Sequence, residues 1–306
     1  MEIIIDEIED IEDIAINSFG EVLPPKNDLI ALIDADTLVY GSCSALEIKE
    51  ELLGEEFYSE KEWEDIINDP GYVEEEQAVY RINEDAVVAH TLEKINTILE
   101  NTGCQDYELH FTIGRASFRY TDVTFTYKAN RSEISSKRPP AGLYQAKKAM
   151  EKLGKSYLWT EWEADDIVVC KKAKFPDKYL LVALDKDVLY ALEGRHFNYY
   201  TSTQYNIPMK FFEVTAKEAL QHHYKQVLTG DKGDNVIGLD RVGKKTAEKI
   251  LKNCNTHKEC WDKVVAEYEA RGRDAIDALI NMRLVNMHQL QYVNNELKVI
   301  LWKPQF

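Results

Sequence analysis

Short apolar runs alternate along the chain with longer stretches that have helical periodicity. The runs at 29–33, 107–113 and 179–184 are typical of strands buried on both faces of a sheet. Residues 84–101 place apolar side chains on one helical face, and further helices are predicted from about Thr37, over 142–153 and over 162–174. Strands that alternate with helices predict an α/β fold with a central, mostly parallel sheet flanked by helices.

The pattern divides the chain into three predicted segments. Residues 1–27 form an acidic N-terminal arm, and residues 28–210 form the α/β core. Within the core, residues 47–80 are very acidic and are interpreted as an insertion with helical pieces. Residues 211–306 form a predominantly helical region that contains a glycine-rich stretch at 230–243.

Charge is distributed unevenly along the sequence. The net charge is −17, but residues 1–100 carry −23 and the remainder carries +6. Residues 115–155 alone carry +7, and a local basic surface of this kind is what phosphate contacts require. The acidic part could face solvent, limit non-specific binding, or contact a basic protein partner, and the sequence leaves these roles open.

The sequence predicts a cytoplasmic protein without a membrane span. No run of about 18 apolar residues occurs, and the acidic start does not resemble an export signal. Five scattered cysteines, an odd number, are typical of free thiols in a reducing compartment.

Eight acidic side chains lie at ends of predicted strands, at a helix start or in the glycine-rich stretch. They are Asp34, Glu163, Asp165, Asp166, Asp185, Asp187, Asp231 and Asp234. Strand ends of a parallel sheet converge on one edge, where ligands bind. Converging carboxylates repel each other, and hard divalent cations relieve that repulsion. A pair of such ions about 4 Å apart is a standard device for phosphodiester hydrolysis.

Taken singly, each acid has an ordinary structural explanation. A helix-opening carboxylate usually caps backbone amides, and an aspartate at a strand end is often a turn residue. The metal-site hypothesis therefore depends on the combination of the eight residues.

Five motifs occur in a fixed order along the chain. They are Leu-Ile-Asp-Ala-Asp at 32–36, Tyr-Lys-Ala-Asn-Arg at 127–131, Glu-Ala-Asp-Asp at 163–166, Leu-Asp-Lys-Asp at 184–187 and Gly-Asp-Lys-Gly-Asp-Asn at 230–235. This set resembles the 5′-nuclease superfamily of flap endonucleases and 5′→3′ exonucleases, in particular the bacteriophage 5′→3′ exonucleases. The resemblance covers roughly residues 28–306.

The resemblance implies a site for Mg²⁺ or Mn²⁺, with two ions, at the eight acids. It implies that Lys128 and Arg131 contact the scissile phosphate and that Tyr127 stacks on a base near the cut. A helical arch is implied at about 125–160, with basic side chains along a passage for single strand. These are Lys137, Arg138, Lys147 and Lys148. A solvated basic face is the ordinary alternative for such lysines and arginines.

Residues 238–247 resemble the helix–three-turn–helix of the same superfamily, which implies a grip on the backbone of duplex DNA. The residues concerned are Gly238, Gly243, Lys244, Lys245 and Thr246. Glycines allow a turn to approach phosphate closely, and amides at a helix start face an anion. The family implies a K⁺ ion in this turn, whereas a glycine helix cap beside an ordinary basic helix is the alternative.

One position departs from the family pattern. The superfamily usually places another acid just after the second strand, where this chain has Thr112 and Ile113. The number of bound ions is therefore open, and so is the possibility of a protein that binds DNA without cutting it.

The expected function is that of a monomeric 5′→3′ exonuclease with flap endonuclease activity in phage DNA replication or recombination, located in the host cytoplasm. Its substrates would be duplex DNA with a 5′ end, nick or flap, and RNA–DNA hybrids if it removes RNA primers. A PIN-like ribonuclease and a non-catalytic DNA-binding protein of the same fold are the alternatives.

Overall fold

The computed structural model describes residues 16–115, 117–131, 138–202 and 204–304. Its strands are β1 (Asn27–Asp34), β2 (Ile48–Glu51), β3 (Tyr72–Val73), β4 (Ala78–Arg81), β5 (Cys104–Thr112), β6 (Ser156–Trp159), β7 (Tyr179–Ala183), β8 (Gly194–Asn198), β9 (Lys210–Val214), β10 (Leu290–Val293) and β11 (Glu296–Val299). Its helices are α1 (Asp36–Leu46), α2 (Glu60–Ile67), α3 (Glu84–Thr102), α4 (Leu143–Lys152), α5 (Ala164–Lys174), α6 (Lys186–Tyr190), α7 (Ala216–Thr229), α8 (Lys244–Leu251), α9 (His257–Glu269) and α10 (Ala275–Val285).

Six strands form the central sheet, in the order β6-β5-β1-β7-β8-β9. All neighbours pair in parallel except β8 and β9, which are antiparallel. Every residue of β7 is buried, as the continuous apolar run predicted for a strand covered on both faces. The predicted α/β class with a mostly parallel central sheet flanked by helices is confirmed.

Helices pack on both faces of this sheet. Apolar residues of α1, α3 and α4 form one core with β1 and β5, while α5 and α6 cover the other face through Val168, Val169 and Val188. A further core joins α7, α8, α9 and α10 around Tyr224, Tyr268 and Met282. The C-terminal helices therefore have their own apolar centre.

The acidic insertion at 47–80 is not built from helical pieces alone. It contains α2 and two short 3₁₀ turns, but its other elements are the three strands of a small antiparallel sheet, ordered β2-β4-β3. All four residues of β2 are exposed, so the strand shows no alternation between apolar and polar positions. Without that alternation, hydrophobic periodicity cannot reveal a strand.

The region after residue 210 is also not entirely helical. Strand β9 continues the central sheet across the predicted boundary at 210/211, and β10 and β11 form an antiparallel hairpin. These strands have only four or five residues, too few for a periodic pattern. The pair Asn294-Asn295 is a local sequence signal for the hairpin. Both residues adopt positive φ, as a two-residue hairpin turn requires.

Most of the predicted N-terminal arm lies outside the described residues. Its described part bridges Ile16 to Val22 and is joined to α3 by a hydrogen bond from Asn17 to Asn101. Within the described ranges, no helix has the length and apolar character that a membrane span requires.

Candidate active site

The carboxyl edge of the central sheet gathers most of the predicted acids. Asp34 is the last residue of β1, and Asp185 follows β7, the neighbour of β1, where it caps α6 by accepting from the amide of Asp187 at 2.8 Å. The start of α5 is held to the end of β5 by a hydrogen bond of 2.9 Å from the amide of Ala164 to Thr112 Oγ1. This link brings Glu163 and Asp165 to the same edge.

Glu163 is buried within a set of donors that share its carboxylate. Its Oε2 accepts from Ser117 Oγ at 2.8 Å and from Arg119 Nη1 at 3.0 Å, and its Oε1 forms an ion pair with Lys128. Burial acts to raise the pKa of Glu163, but the charges of Arg119 and Lys128 outweigh it and lower the pKa below its usual value. Glu163 is therefore ionised and already neutralised by the protein.

Asp166 and Asp165 follow Glu163 but have different surroundings. Asp166 is fully buried, and both of its oxygens contact the guanidinium of Arg119. The pKa of Asp165 is raised well above its usual value, first by burial and then by the charges of Glu163 and Asp166. Oxygens of the three carboxylates lie within 4.8 Å of one another, a spacing that suits a shared cation.

A small cavity of about 40 Å³ adjoins Asp165 and collects the remaining acids. It is lined by Asp165, Asp185, Asp187, Asp231 and Asp234, together with Arg119, Tyr127 and Gln226. The pKa of Asp185 is raised by burial and by its neighbour Asp187. An all-oxygen donor set whose members repel one another fits a hard divalent cation.

A larger cavity of about 530 Å³ lies beside the first and shares Asp165 and Tyr127 with it. Asp34, Asp36, Lys128, Arg131 and Lys147 are among its lining residues. Burial, followed by the charges of Asp36 and Asp185, raises the pKa of Asp34 to about 7. The two cavities together bring all eight predicted acids except Asp166 onto accessible walls.

The turn at 127–131 is clamped to the loop at 231–235. Asp234 accepts from Tyr127 OH at 3.0 Å and from Arg131 Nη2 at 2.8 Å, and its carbonyl accepts from the amide of Lys128 at 3.1 Å. Asn130 and Asn235 add reciprocal bonds to backbone carbonyls of the opposite segment. The clamp holds Lys128 and Arg131 at the junction of the two cavities.

The environment of Tyr127 does not match the predicted stacking on a base, since the residue is only 6% exposed and its hydroxyl faces carboxylates. Phe125, which was not among the predicted site residues, lines the larger cavity and is 75% exposed. An aromatic residue two positions before the Tyr-Lys-Ala-Asn-Arg motif was the available signal, but exposure could not be read from the sequence.

The basic residues assigned to the arch occupy different environments. Lys148 is partly exposed and pairs with Glu151, whereas Lys147 is buried and points to the acid-lined cavity. Arg138 makes a bidentate pair with Glu47 of the insertion and covers the ring of Tyr80 at 3.5 Å. Lys137 lies outside the described residues.

The glycine-rich stretch forms a compact turn before α8. Gly238 packs against the backbone of Thr229 and Gly230, where a Cβ atom would overlap it. Gly243 is the N-cap of α8. In contrast to Gly238, a Cβ atom added to Gly243 would have no neighbour within 4 Å. Lys244, Lys245 and Thr246 are all exposed in the first turn of α8, where helix amides favour an anion.

Several residues of the site were missed from the sequence. Arg119, Ser117 and Asp36 make contacts with predicted site residues, and His222 Nε2 lies 3.2 Å from Asp187 Oδ1. The basic composition of residues 115–155 was visible in the sequence, but nothing local distinguishes the buried Arg119 from the exposed Arg115.

Comparison with known proteins supports the fold. No protein-family model matches the chain. DNA polymerase I of Lactococcus lactis subsp. cremoris is 27% identical over 225 residues, which cover 68% of this chain but only 24% of the polymerase. The chain thus matches about a quarter of that relative's length.

Two solved structures of a bacteriophage T5 protein resemble the chain. The T5 D15 flap endonuclease, in complex with DNA and metal ions, superposes with a TM-score of 0.52 at 15% identity, covering 66% of this chain and 81% of that one. The T5 D15 protein co-crystallised with metal ions gives 0.51 at 16% identity, covering 66% and 83%. The resemblance to the 5′-nuclease superfamily is confirmed at the level of the fold.

Proposed function

We propose that the chain is a divalent-metal-dependent 5′ nuclease that hydrolyses phosphodiester bonds at or near the 5′ ends of duplex DNA. The observation that carries this proposal is the cavity of about 40 Å³ lined by Asp165, Asp185, Asp187, Asp231 and Asp234. Lys128 and Arg131 lie at its border through their contacts with Glu163 and Asp234. Carboxylates that can bind a hard cation, next to cationic side chains that can bind phosphate, are suited to phosphodiester cleavage.

We assign the cation to those carboxylates of the cavity that have no lysine or arginine partner. A bound Mg²⁺ or Mn²⁺ supplies Lewis-acid chemistry, which activates the attacking water and stabilises the leaving oxygen. Arg131 can hold the phosphate through its guanidinium, and Lys128 can offset the negative charge that develops during cleavage. The clamp to Asp234 keeps both side chains in place.

The turn at 238–246 supports duplex DNA as the substrate. Exposed Lys244, Lys245 and Thr246 at a helix start can contact phosphates without reading bases. A 5′ end, nick or flap would then extend toward the larger cavity. We further propose a monomer that acts in bacteriophage DNA replication or recombination, with RNA–DNA hybrids as a second substrate and K⁺ bound in the turn.

A substrate panel tests this proposal. Labelled blunt duplex, nicked duplex, 5′-flap and RNA–DNA hybrid are incubated with Mg²⁺ or Mn²⁺, and release of nucleotides or short flaps from 5′ ends is expected. Cleavage restricted to RNA would instead indicate a ribonuclease, and binding without cleavage would indicate a non-catalytic DNA-binding protein.

A matched pair of variants ties cleavage to the acidic cavity. Asp185→Asn should reduce cleavage by about a thousandfold, because it removes charge from the cation site. Asp177→Asn is the control, since Asp177 is exposed and precedes the opposite end of β7. Equal cleavage by the two variants would refute the assignment of the site.

A further inference from the structure

Lys147 lies inside the active site, although its neighbours on α4 suggest an ordinary basic helix. The side chain is 9% exposed, and Nζ lies 2.6 Å from Asp36 Oδ1 and 2.8 Å from the backbone carbonyl of Thr112. The next residue, Lys148, is 44% exposed and pairs with Glu151 on the surface. Two adjacent lysines of one helix therefore have opposite environments.

The partners of Lys147 lie at or just after the ends of two neighbouring strands. Asp36 opens α1, two residues after Asp34, and also accepts from the amide of Thr112 at 3.1 Å. Thr112 is the last residue of β5, the neighbour of β1. The ammonium is thus fixed between β1 and β5, on the wall of the cavity that also contains Asp34, Glu163 and Asp165.

The contacts of this ammonium are those that a hard cation would use. Carboxylate and backbone carbonyl oxygens are the ligands that divalent cations prefer. A lysine that occupies such oxygens supplies positive charge at this point and opposes the approach of a second cation. Thr112 adds no carboxylate that could compensate.

Two other cations of the cavity wall also have carboxylate partners. Lys128 pairs with Glu163, and Arg131 pairs with Asp234. In the small cavity, by contrast, the described contacts of Asp165, Asp185 and Asp231 join them to backbone amides and not to lysine or arginine. Direct contacts with lysine or arginine are therefore made at Asp36, Glu163 and Asp234, and they leave out Asp165, Asp185 and Asp231.

We propose that Lys147 is a built-in cation of the active site, which takes the place of one divalent ion beside Asp34 and Asp36. The resting protein then holds a single divalent cation, in the small cavity lined by Asp165, Asp185, Asp187 and Asp231. This inference rests on the proposed metal-dependent nuclease function and replaces the two ions expected from the sequence. Lys147 acts through charge and position and is a positioning residue.

A purely structural role for Lys147 is the competing explanation, because its ammonium also ties α4 to α1 and β5. Metal binding separates the two roles. A structural tie predicts that loss of the lysine changes folding stability without changing the number of bound cations. A built-in cation predicts that loss of the charge opens a second cation site.

The experiment is a Mn²⁺ titration of the full chain without DNA, in which electron paramagnetic resonance measures free Mn²⁺. Wild type should bind one ion. Lys147→Gln keeps a hydrogen-bond donor but removes the charge, and it should bind a second ion, or bind Mn²⁺ about tenfold more tightly at the Asp34 side. Lys147→Arg keeps the charge, and Lys148→Gln removes a charge on the surface, so both should titrate like wild type.

The outcomes are separable from failure of the proposed function. A wild-type count other than one, or identical titrations of wild type and Lys147→Gln, would overturn the inference even if the protein cleaves 5′ flaps. Absence of both Mn²⁺ binding and cleavage would overturn the proposed function itself. Thermal unfolding checks that each variant is folded, and if Lys147→Gln is not, the wild-type count alone decides.

Discussion

Arg119 and Asp166 form a fully buried ion pair, with Nη2 2.8 Å from Oδ1 and Nη1 in contact with the second oxygen. The same guanidinium donates to the carbonyls of Leu284 at 2.7 Å and Asn286 at 3.2 Å, at the end of α10. One side chain thus joins the acidic helix start of the α/β core to the C-terminal helices.

Loss of this arginine should destabilise the protein strongly. Arg119→Met leaves Asp166 buried without a partner, which should lower the free energy of unfolding by about 3–5 kcal/mol. Combining it with Asp166→Leu should recover part of the loss, because no unpaired charge remains. Urea denaturation measures the effect, with the exposed Arg195→Met as the control. A loss of less than about 1 kcal/mol, typical of surface pairs, would contradict this account.

Asp34 should make the metal-free protein less stable as the pH rises. Its folded pKa of about 7 exceeds the ordinary value of 3.8, so between these values the folded state keeps a proton that the unfolded state releases. Ionised Asp34 therefore costs stability, with an upper bound of about 4 kcal/mol above pH 7. In EDTA, Asp34→Asn should unfold at a higher temperature than wild type at pH 8, and the difference should vanish near pH 4. A constant difference across this range would argue against burial and repulsion as the cause.

Lys128 should contribute to catalysis more than to affinity. Its ammonium contacts Glu163 and lies 3.8 Å from Asp234, between the two cavities. Lys128→Ala should reduce kcat on a 5′-flap substrate by about a hundredfold or more, with a much smaller change in KM. Steady-state kinetics provide the measurement. An increase in KM at constant kcat would assign Lys128 to ground-state binding alone.

Lys244 should contribute to duplex binding through charge. It is exposed in the first turn of α8, so Lys244→Ala should weaken binding to unrelated sequences equally and reduce the slope of log K against log salt by about 1. Fluorescence anisotropy in Ca²⁺ at several salt concentrations measures the slope. Lys298→Ala, in the C-terminal hairpin, is the control. The same slope for Lys244→Ala and wild type would exclude a phosphate contact.

Gly238 and Gly243 should differ in their tolerance of a methyl group. A Cβ at Gly238 would lie 2.2 Å from the backbone nitrogen of Gly230, whereas a Cβ at Gly243 would have no neighbour within 4 Å. Gly238→Ala should therefore cost about 1–3 kcal/mol of stability. Gly243→Ala should leave the melting temperature nearly unchanged. Similar melting temperatures for both variants would show that the turn can relax around the added methyl group.

Whether a strand or helix could be predicted from the sequence depended on the length of its hydrophobic pattern. The buried strands β1, β5 and β7 and the helices α3 and α5 were predictable, because an apolar run or a helical period extends over enough residues to be recognised. The short exposed strand β2 and the hairpin of β10 and β11 were not, because their pairing partners determine them and not their own periodicity.

For the candidate site, the order of the motifs placed the acids at the carboxyl edge of the sheet, because parallel strands all end on that side. The sequence could not show which charges neutralise one another. Adjacent Asp165 and Asp166 look equivalent, yet Arg119 engages only the second, and adjacent Lys147 and Lys148 point to a cavity and to solvent. The sequence by itself determined the types of chemical group and the edge they share. Only the tertiary structure decided the partners, because burial and distance between remote segments set the strength of each charge interaction.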